Sequence, residues 1–191
     1  MKIIIEHEDA TASCIGEGPA ALFRGGEEVV LDLAMERQAL ERWCWAAIAV
    51  SLSAYYHSKT ISQHDVATLA LGFDCSGFSG NEALKERCDI NFSLDKVLDL
   101  LHCFSHWSLG KPHFERVQFE IANGRPVCCR INWYKGDAHY VLIKGYNMHR
   151  EEIYLEDPLH GSSAIRYHDF PAKYKVSGGA WTETYWTMRH L

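Results

Sequence analysis

Gln38, Cys44 and Trp45 stand in one short run, Arg37-Gln38-Ala39-Leu40-Glu41-Arg42-Trp43-Cys44-Trp45-Ala46-Ala47, and their types and spacing suit acyl transfer. From Trp45 to Val50 the chain is almost free of polar residues, which places Cys44 at the start of a buried helix. The first turn of a helix presents unpaired amide hydrogens and a partial positive charge, and both favour thiolate over thiol. Gln38, six residues upstream, can fold back so that its side-chain amide points at the space above the sulfur. With the backbone N–H of Cys44 it makes a two-donor oxyanion site beside a nucleophile. A cysteine in an apolar helix is ordinarily a small core hydrophobe. The position at the helix start and the upstream glutamine favour the nucleophile here.

His139 is the candidate base. It opens the apolar stretch 140–146, where an imidazole costs desolvation unless it is partnered. Asp157 ends the next strand-like stretch, 153–156, and the two stretches are joined by the polar turn Asn147-Met148-His149-Arg150. A hairpin folded about Met148 sets His139 and Asp157 directly opposite each other, with Cβ atoms roughly 5 Å apart. Asp157 is therefore the candidate orienting carboxylate. Pro158 has a plainer use as well, since proline ends strands.

The elements that must hold these groups follow from periodicity. A short strand at 29–33 leads into the Gln38 turn, and the central helix runs over 44–57. A second helix opens at Ser62, with Asp65 three positions on, and reaches Leu71. The glycine- and serine-rich loop 72–80 follows, then helical patterns at 81–88 and 93–104. A helix at 114–122 is closed by Asn123-Gly124. From Pro126 the period becomes strand-like, at 127–133, 140–146, 153–156, 164–167 and 182–188. This order predicts an α+β fold, a helical N-terminal half carrying the cysteine helix and an antiparallel sheet half behind it, with a cleft between. Loops 72–80 and 133–138 are expected to line that cleft, and Trp43 and Trp45 to be core or cleft-wall aromatics and not reactive groups.

The bulk properties set limits. With 191 residues and 47% hydrophobic content, the chain suits one well-packed domain. Residues 1–26 read as an extension and 27–191 as the catalytic domain. A net charge of −6 and the lack of a basic run exclude a nucleic-acid surface. Met1-Lys2-Ile3-Ile4-Ile5 is stopped at once by Glu6, and no later stretch approaches membrane-spanning length. The expectation is synthesis in the cytoplasm without a signal peptide and no membrane partner.

Seven cysteines with irregular spacing and no Cys-x-x-Cys argue against a disulfide framework, and free thiols are the favoured reading. His102 and His106 fall four apart on the helical pattern 93–104, with Cys103 between them and His113 beyond. No second compact ligand pair completes a zinc site, so no metal and no cofactor are expected.

The Gln-x5-Cys-Trp-Ala-Ala run, the stretch Gly136-Asp137-Ala138-His139-Tyr140-Val141-Leu142-Ile143-Lys144-Gly145-Tyr146 and Glu156-Asp157-Pro158 together resemble the papain-like cysteine peptidases. The resemblance points to a compact bacterial branch that includes effector proteases of plant pathogens, with bacteriocin-maturing double-glycine peptidases further off. It implies the papain-like architecture, and a catalytic set of Cys44, His139, Asp157 and Gln38 acting on peptide bonds of a protein or peptide. Papain has an asparagine where this chain has Asp157. The resemblance also brings in an effector or interbacterial toxin setting, delivery by a specialised secretion system, and an inhibitor or immunity protein as a further partner. Cysteines recur in relatives near Cys75 and Cys88, which leaves a local bridge open there. Relatives cut after paired glycines, so Gly25-Gly26 before Glu27 raises self-cleavage after Gly26; a flexible linker explains the same residues. Two other functions stay open: transglutaminase or deamidase chemistry on glutamine side chains, and a silent binding module of the same fold.

Overall fold

The computed structural model describes residues 26–78 and 80–190. Five helices, α1 (Cys44–His57), α2 (Gln63–Leu71), α3 (Glu82–Cys88), α4 (Leu94–Leu100) and α5 (Phe114–Ala122), accompany seven strands. The strands are β1 (Glu28–Val30), β2 (Phe104–Leu109), β3 (Val127–Trp133), β4 (Ala138–Asn147), β5 (Glu152–Asp157), β6 (Gly161–Arg166) and β7 (Gly179–Thr187). They form one antiparallel sheet in the order β2-β7-β3-β4-β5-β6, with β1 laid on the far end of β4.

The α+β reading holds, with helices mostly before strands. α1 has the expected bounds because its apolar residues go nearly all round, and eleven residues of the helix are buried. α2 starts where Ser62 accepts a bond from the Asp65 N–H at 3.1 Å. The sheet is covered on both faces. α1, α2 and α4 share a core with Cys128, Leu142 and Tyr185, and α5 shares the other with Cys129, Val141, Ile143 and Tyr146. The neighbours Cys128 and Cys129 thus face opposite cores, as strand alternation requires.

One helix is shorter than its pattern suggests. α4 stops at Leu100, His102 takes a left-handed turn (φ 57°), and Phe104–Leu109 is strand β2, paired with β7. The stripe Leu94, Val97, Leu98, Leu101 simply ends there, and the residues beyond it are better satisfied at the sheet edge. His102 and His106 therefore do not share a helix face, and the His106 ring stacks on Trp186 with centroids 5.9 Å apart. Among the described residues, no group of three or more His, Cys, Asp or Glu converges as a metal site would.

The free-thiol expectation also needs correction. Cys75 and Cys88 are bridged, tying the loop after α2 to the end of α3, while Cys44, Cys103, Cys128 and Cys129 are buried and free. Irregular cysteine spacing carries no information about a pair that tertiary folding brings together.

The β4–β5 hairpin is registered differently from the simple fold about Met148. Asn147 pairs with Glu152 and Tyr146 with Ile153, so the turn is centred past Met148. A bulge at Lys144 then shifts the register, and Ile143 faces Leu155. As a result Tyr146 and Ile143 both face the α5 core although their numbers differ by three. Continuing this register puts Asp157 opposite Val141, two residues along from His139 on the same face. Without the extra residue it would stand opposite Leu142, which faces the other core. Gly145 makes room for the bulge: a Cβ there would lie 2.7 Å from the Val29 carbonyl oxygen and 2.8 Å from the Tyr154 ring.

Gly26 is held by β1. Its carbonyl accepts a bond from the Tyr146 hydroxyl at 3.1 Å, and Glu28 pairs with Asn147. Asn147 stands at the other end of β4 from His139, about 25 Å away at the strand rise of ~3.3 Å per residue. Gly25 and the rest of the extension lie outside the described residues.

Candidate active site

Cys44 is the first residue of α1. Its N-cap, Trp43, gives no side-chain cap, so the amides of that turn keep their field for whatever lies beside the sulfur. Trp43 and Trp45 are both 0% exposed. Their indole N–H groups donate to the carbonyls of Cys88 (2.8 Å) and Ile90 (3.0 Å), and the Arg42 N–H donates to Asp89 Oδ1 (2.7 Å). The strip 88–90, fastened by the Cys75–Cys88 bridge, thereby grips the start of the cysteine helix. Trp45 is a core residue and not a cleft wall. The wall aromatic is Trp133, whose ring stacks on His139 with centroids 6.1 Å apart.

His139 and Asp157 come together as expected, by a diagonal contact and not a directly opposed one. His139 Nε2 lies 2.8 Å from Asp157 Oδ1, with both side chains buried. That leaves Nδ1 for the thiol. Burial by itself lowers the imidazole's pKa, but hydrogen bonds to Asp157 and Cys44 and their negative charges outweigh it, raising the group to about 9. Burial pushes the Asp157 carboxyl up, while the bond and charge of His139 and the amides of Leu159 and His160 pull it down to about 2. Those amides reach Oδ1 at 2.8 and 3.0 Å.

Cys44 and His139 open on a cleft of about 350 Å³, lined also by Glu41, Arg42, Asn91 and Trp133. Loop 133–138 contributes to it as expected. None of the described residues of loop 72–80 lines it.

Gln38 is tied to the site but not yet open to it. Its backbone N–H donates to the Pro158 carbonyl at 3.0 Å, joining the glutamine turn to the end of the Asp157 strand. Its side-chain Nε2 donates to the carbonyls of Leu40 (3.0 Å) and Glu41 (2.6 Å), while Oε1 is buried without a partner. Both amide hydrogens are engaged inside its own turn, so giving one to an oxyanion means exchanging a turn bond.

Two supporting residues carry no sequence signal of their own. Gln63, at the start of α2, accepts from the Ala39 N–H (3.0 Å) and donates to Glu36 Oε2 (3.0 Å) and the Arg37 carbonyl (2.7 Å), holding the Gln38 turn from behind. Tyr174 donates from its hydroxyl to Asp157 Oδ2 at 2.9 Å.

A model of the Peptidase_C39 like family matches residues 30–187. No curated protein matches the chain at a significant level. Among solved structures, the chain is similar to a double glycine motif protease from an AMS/PCAT transporter in complex with its leader peptide, at 18% identity over 84% of this chain and 95% of that one (TM-score 0.48). It is similar also to xylellain, a cysteine protease from Xylella fastidiosa, at 10% identity over 86% and 87% (TM-score 0.49). A third likeness is to the Pseudomonas avirulence protein AvrPphB, at 11% identity over 81% and 96% (TM-score 0.39). Since the family match spans all but the ends of the described chain, this protein belongs to the Peptidase_C39 like family.

Proposed function

We propose that the protein is an endopeptidase that cleaves a peptide bond of a protein or peptide through Cys44, His139 and Asp157. The observation that carries this reading is the buried 2.8 Å contact between His139 and Asp157 in the wall of the cleft that also holds Cys44. His139 takes the thiol proton, and the sulfur attacks the substrate carbonyl carbon. The resulting oxyanion is received by the Cys44 backbone N–H and by one Gln38 amide hydrogen released from its turn; such a donor typically contributes ~3 kcal/mol in the transition state. As the C–N bond breaks, His139 gives its proton to the leaving amine and a thioester remains. Water then loses a proton to His139 and its oxygen attacks the thioester carbonyl. The Cys44 sulfur leaves and recovers the proton, so the acid is released and the thiol restored. Asp157 stays ionised throughout and steadies the imidazolium.

Cys44→Ala and His139→Ala, assayed on a peptide library beside wild type, test the reading. Each variant should keep its fold and lose all but a few per cent of cleavage. Higher residual activity in either overturns the assignment. Adding a primary amine in the same assay separates hydrolysis from transamidation, because incorporation of the amine or release of ammonia from glutamine would move the reaction to the alternative chemistry. An effector or toxin setting belongs to the same proposal. Substrate proteomics of wild type against Cys44→Ala in a susceptible cell would test it by naming the target.

A further inference from the structure

The two oxygens of Asp157 are held very differently. Oδ1 accepts from His139 and from two backbone amides, whereas Oδ2 has one hydrogen-bond partner among the described residues, the Tyr174 hydroxyl at 2.9 Å. Tyr174 is 3% exposed and comes from the turn-rich segment between β6 and β7. Its ring lies nearly parallel to Trp133, at 18° and 6.2 Å between centroids, and Trp133 lies nearly parallel to His139. The segment is closed by Gly178, whose N–H donates to the Tyr174 carbonyl at 3.2 Å. That glycine has φ +58°, and a Cβ on it would come within 2.1 Å of the Ala172 carbonyl oxygen. The tyrosine's place is therefore fixed from its own backbone, independently of the carboxylate it meets.

We propose that Tyr174 is a positioning residue for the proteolytic reaction: by holding Oδ2 it stops the Asp157 carboxylate from turning about its Cβ–Cγ bond, and so keeps Oδ1 aimed at His139 Nε2. The inference rests on the triad reading above. A carboxylate gripped at one oxygen can still swing the other, and each swing tilts the Oδ1 lone pair that the imidazole needs. The hydroxyl hydrogen also draws negative charge toward Oδ2, away from His139. Removing it strengthens the pull on the imidazolium, which then becomes a poorer proton donor to the leaving amine. The other titratable groups around this cluster are Cys44 from α1, Cys129 from β3, His160 just after β5, and Lys175, whose ammonium sits 4.6 Å from the centre of the Tyr174 ring.

The test compares Tyr174→Phe with the full wild-type chain in two measurements. In steady-state kinetics kcat should fall about tenfold with KM nearly unchanged, the pattern of a lost transition-state orientation. In the Cys44→Ala background, the His139 imidazole should titrate about half a unit higher by NMR when Tyr174 is phenylalanine, following the sign of the lost dipole. Incorporation of 3-fluorotyrosine at 174, a stronger donor, should move it the other way and carries the test if the phenylalanine variant does not fold. An unchanged His139 titration in these variants overturns the proposal, whatever the rates. A shifted titration together with undiminished cleavage by Cys44→Ala supports the hold of Tyr174 on Asp157 and overturns the assignment of Cys44 as nucleophile instead.

Discussion

Replacing Asp157 by asparagine separates the charge of this group from its shape. The carbonyl of the new side chain can still accept from His139 and from the amides of Leu159 and His160, and its NH2 can donate to the Tyr174 oxygen, so the packing survives. What is lost is the negative charge. His139 is raised from 6.5 to about 9, which at 1.36 kcal/mol per pH unit favours the imidazolium by roughly 3 kcal/mol. Asp157 and Cys44 each supply a hydrogen bond and a charge to that rise. Because burial opposes the rise, Asp157 and Cys44 together supply more than the net shift, and losing the Asp157 charge should cost roughly 2 kcal/mol, lower the basic limb by about one pH unit and slow the reaction on the order of tenfold at neutral pH. That is milder than losing Cys44 or His139. The stability profile should change as well. Because the folded pKa of His139 lies above its unfolded value, its contribution is complete below about 6.5 and is lost as pH rises through about 9. The Asp157 contribution, seen from a lowered pKa, is complete above 3.8 and lost as pH falls through about 2. Both describe one interaction and are not summed. Wild type should therefore lose stability between pH 6.5 and 9, while Asp157→Asn, which keeps only the Cys44 contribution, should lose less and over a narrower window. The assays are kcat/KM against pH on a fluorogenic peptide and urea unfolding at both ends of the window. An unmoved basic limb together with identical slopes would refute the reasoning.

Three further outcomes are expected. Replacing Cys75 and Cys88 by serine opens a bridge spanning 13 residues, and should cost about 2–3 kcal/mol in urea unfolding and slow labelling of Cys44; an unchanged midpoint counts against it. Gly145→Ala forces a contact of 2.7 Å with the Val29 carbonyl oxygen, and should lower stability by more than ~2 kcal/mol and reduce kcat through the bulge. A melting temperature equal to wild type would contradict that. Cleavage after Gly26, placed about 25 Å from His139 along β4, should occur between molecules. Its rate by intact mass should rise with concentration, Cys44→Ala should be cut when wild type is added, and a concentration-independent rate would mean that β1 detaches.

The parts of this fold that the sequence makes legible are those fixed by local pattern. α1 has its bounds because an apolar run of that length leaves no other home, and Ser62 announces α2 because its hydroxyl must meet the Asp65 amide. β3 was readable from its run of alternating and β-branched residues. β2 was not, since its six residues follow a helical stripe without punctuation until His102 turns left-handed. The candidate nucleophile, base and carboxylate could be named because their types are unusual where they stand. Tyr174 and Gln63 could not, because a tyrosine and a helix-start glutamine are ordinary until long-range folding sets them against Asp157 and the Gln38 turn. The hairpin register failed because Gly145, the one local hint of a bulge, does not by itself say that the register shifts there.

That extra residue has a consequence for how this hairpin can vary in length. In an antiparallel pair, adding one residue at the tip moves every later residue of the returning strand to the opposite face, whereas adding two restores it. The bulge at Lys144 already supplies one odd step between His139 and Asp157. A descendant that gained a single residue near Met148 would turn its aspartate away from the histidine unless it also lost the bulge; one that gained two would keep both. Natural drift in the tip should therefore proceed by pairs, or by single insertions matched by a smoothing of β4. A set of engineered tips differing by one and two residues should show activity alternating with even and odd length.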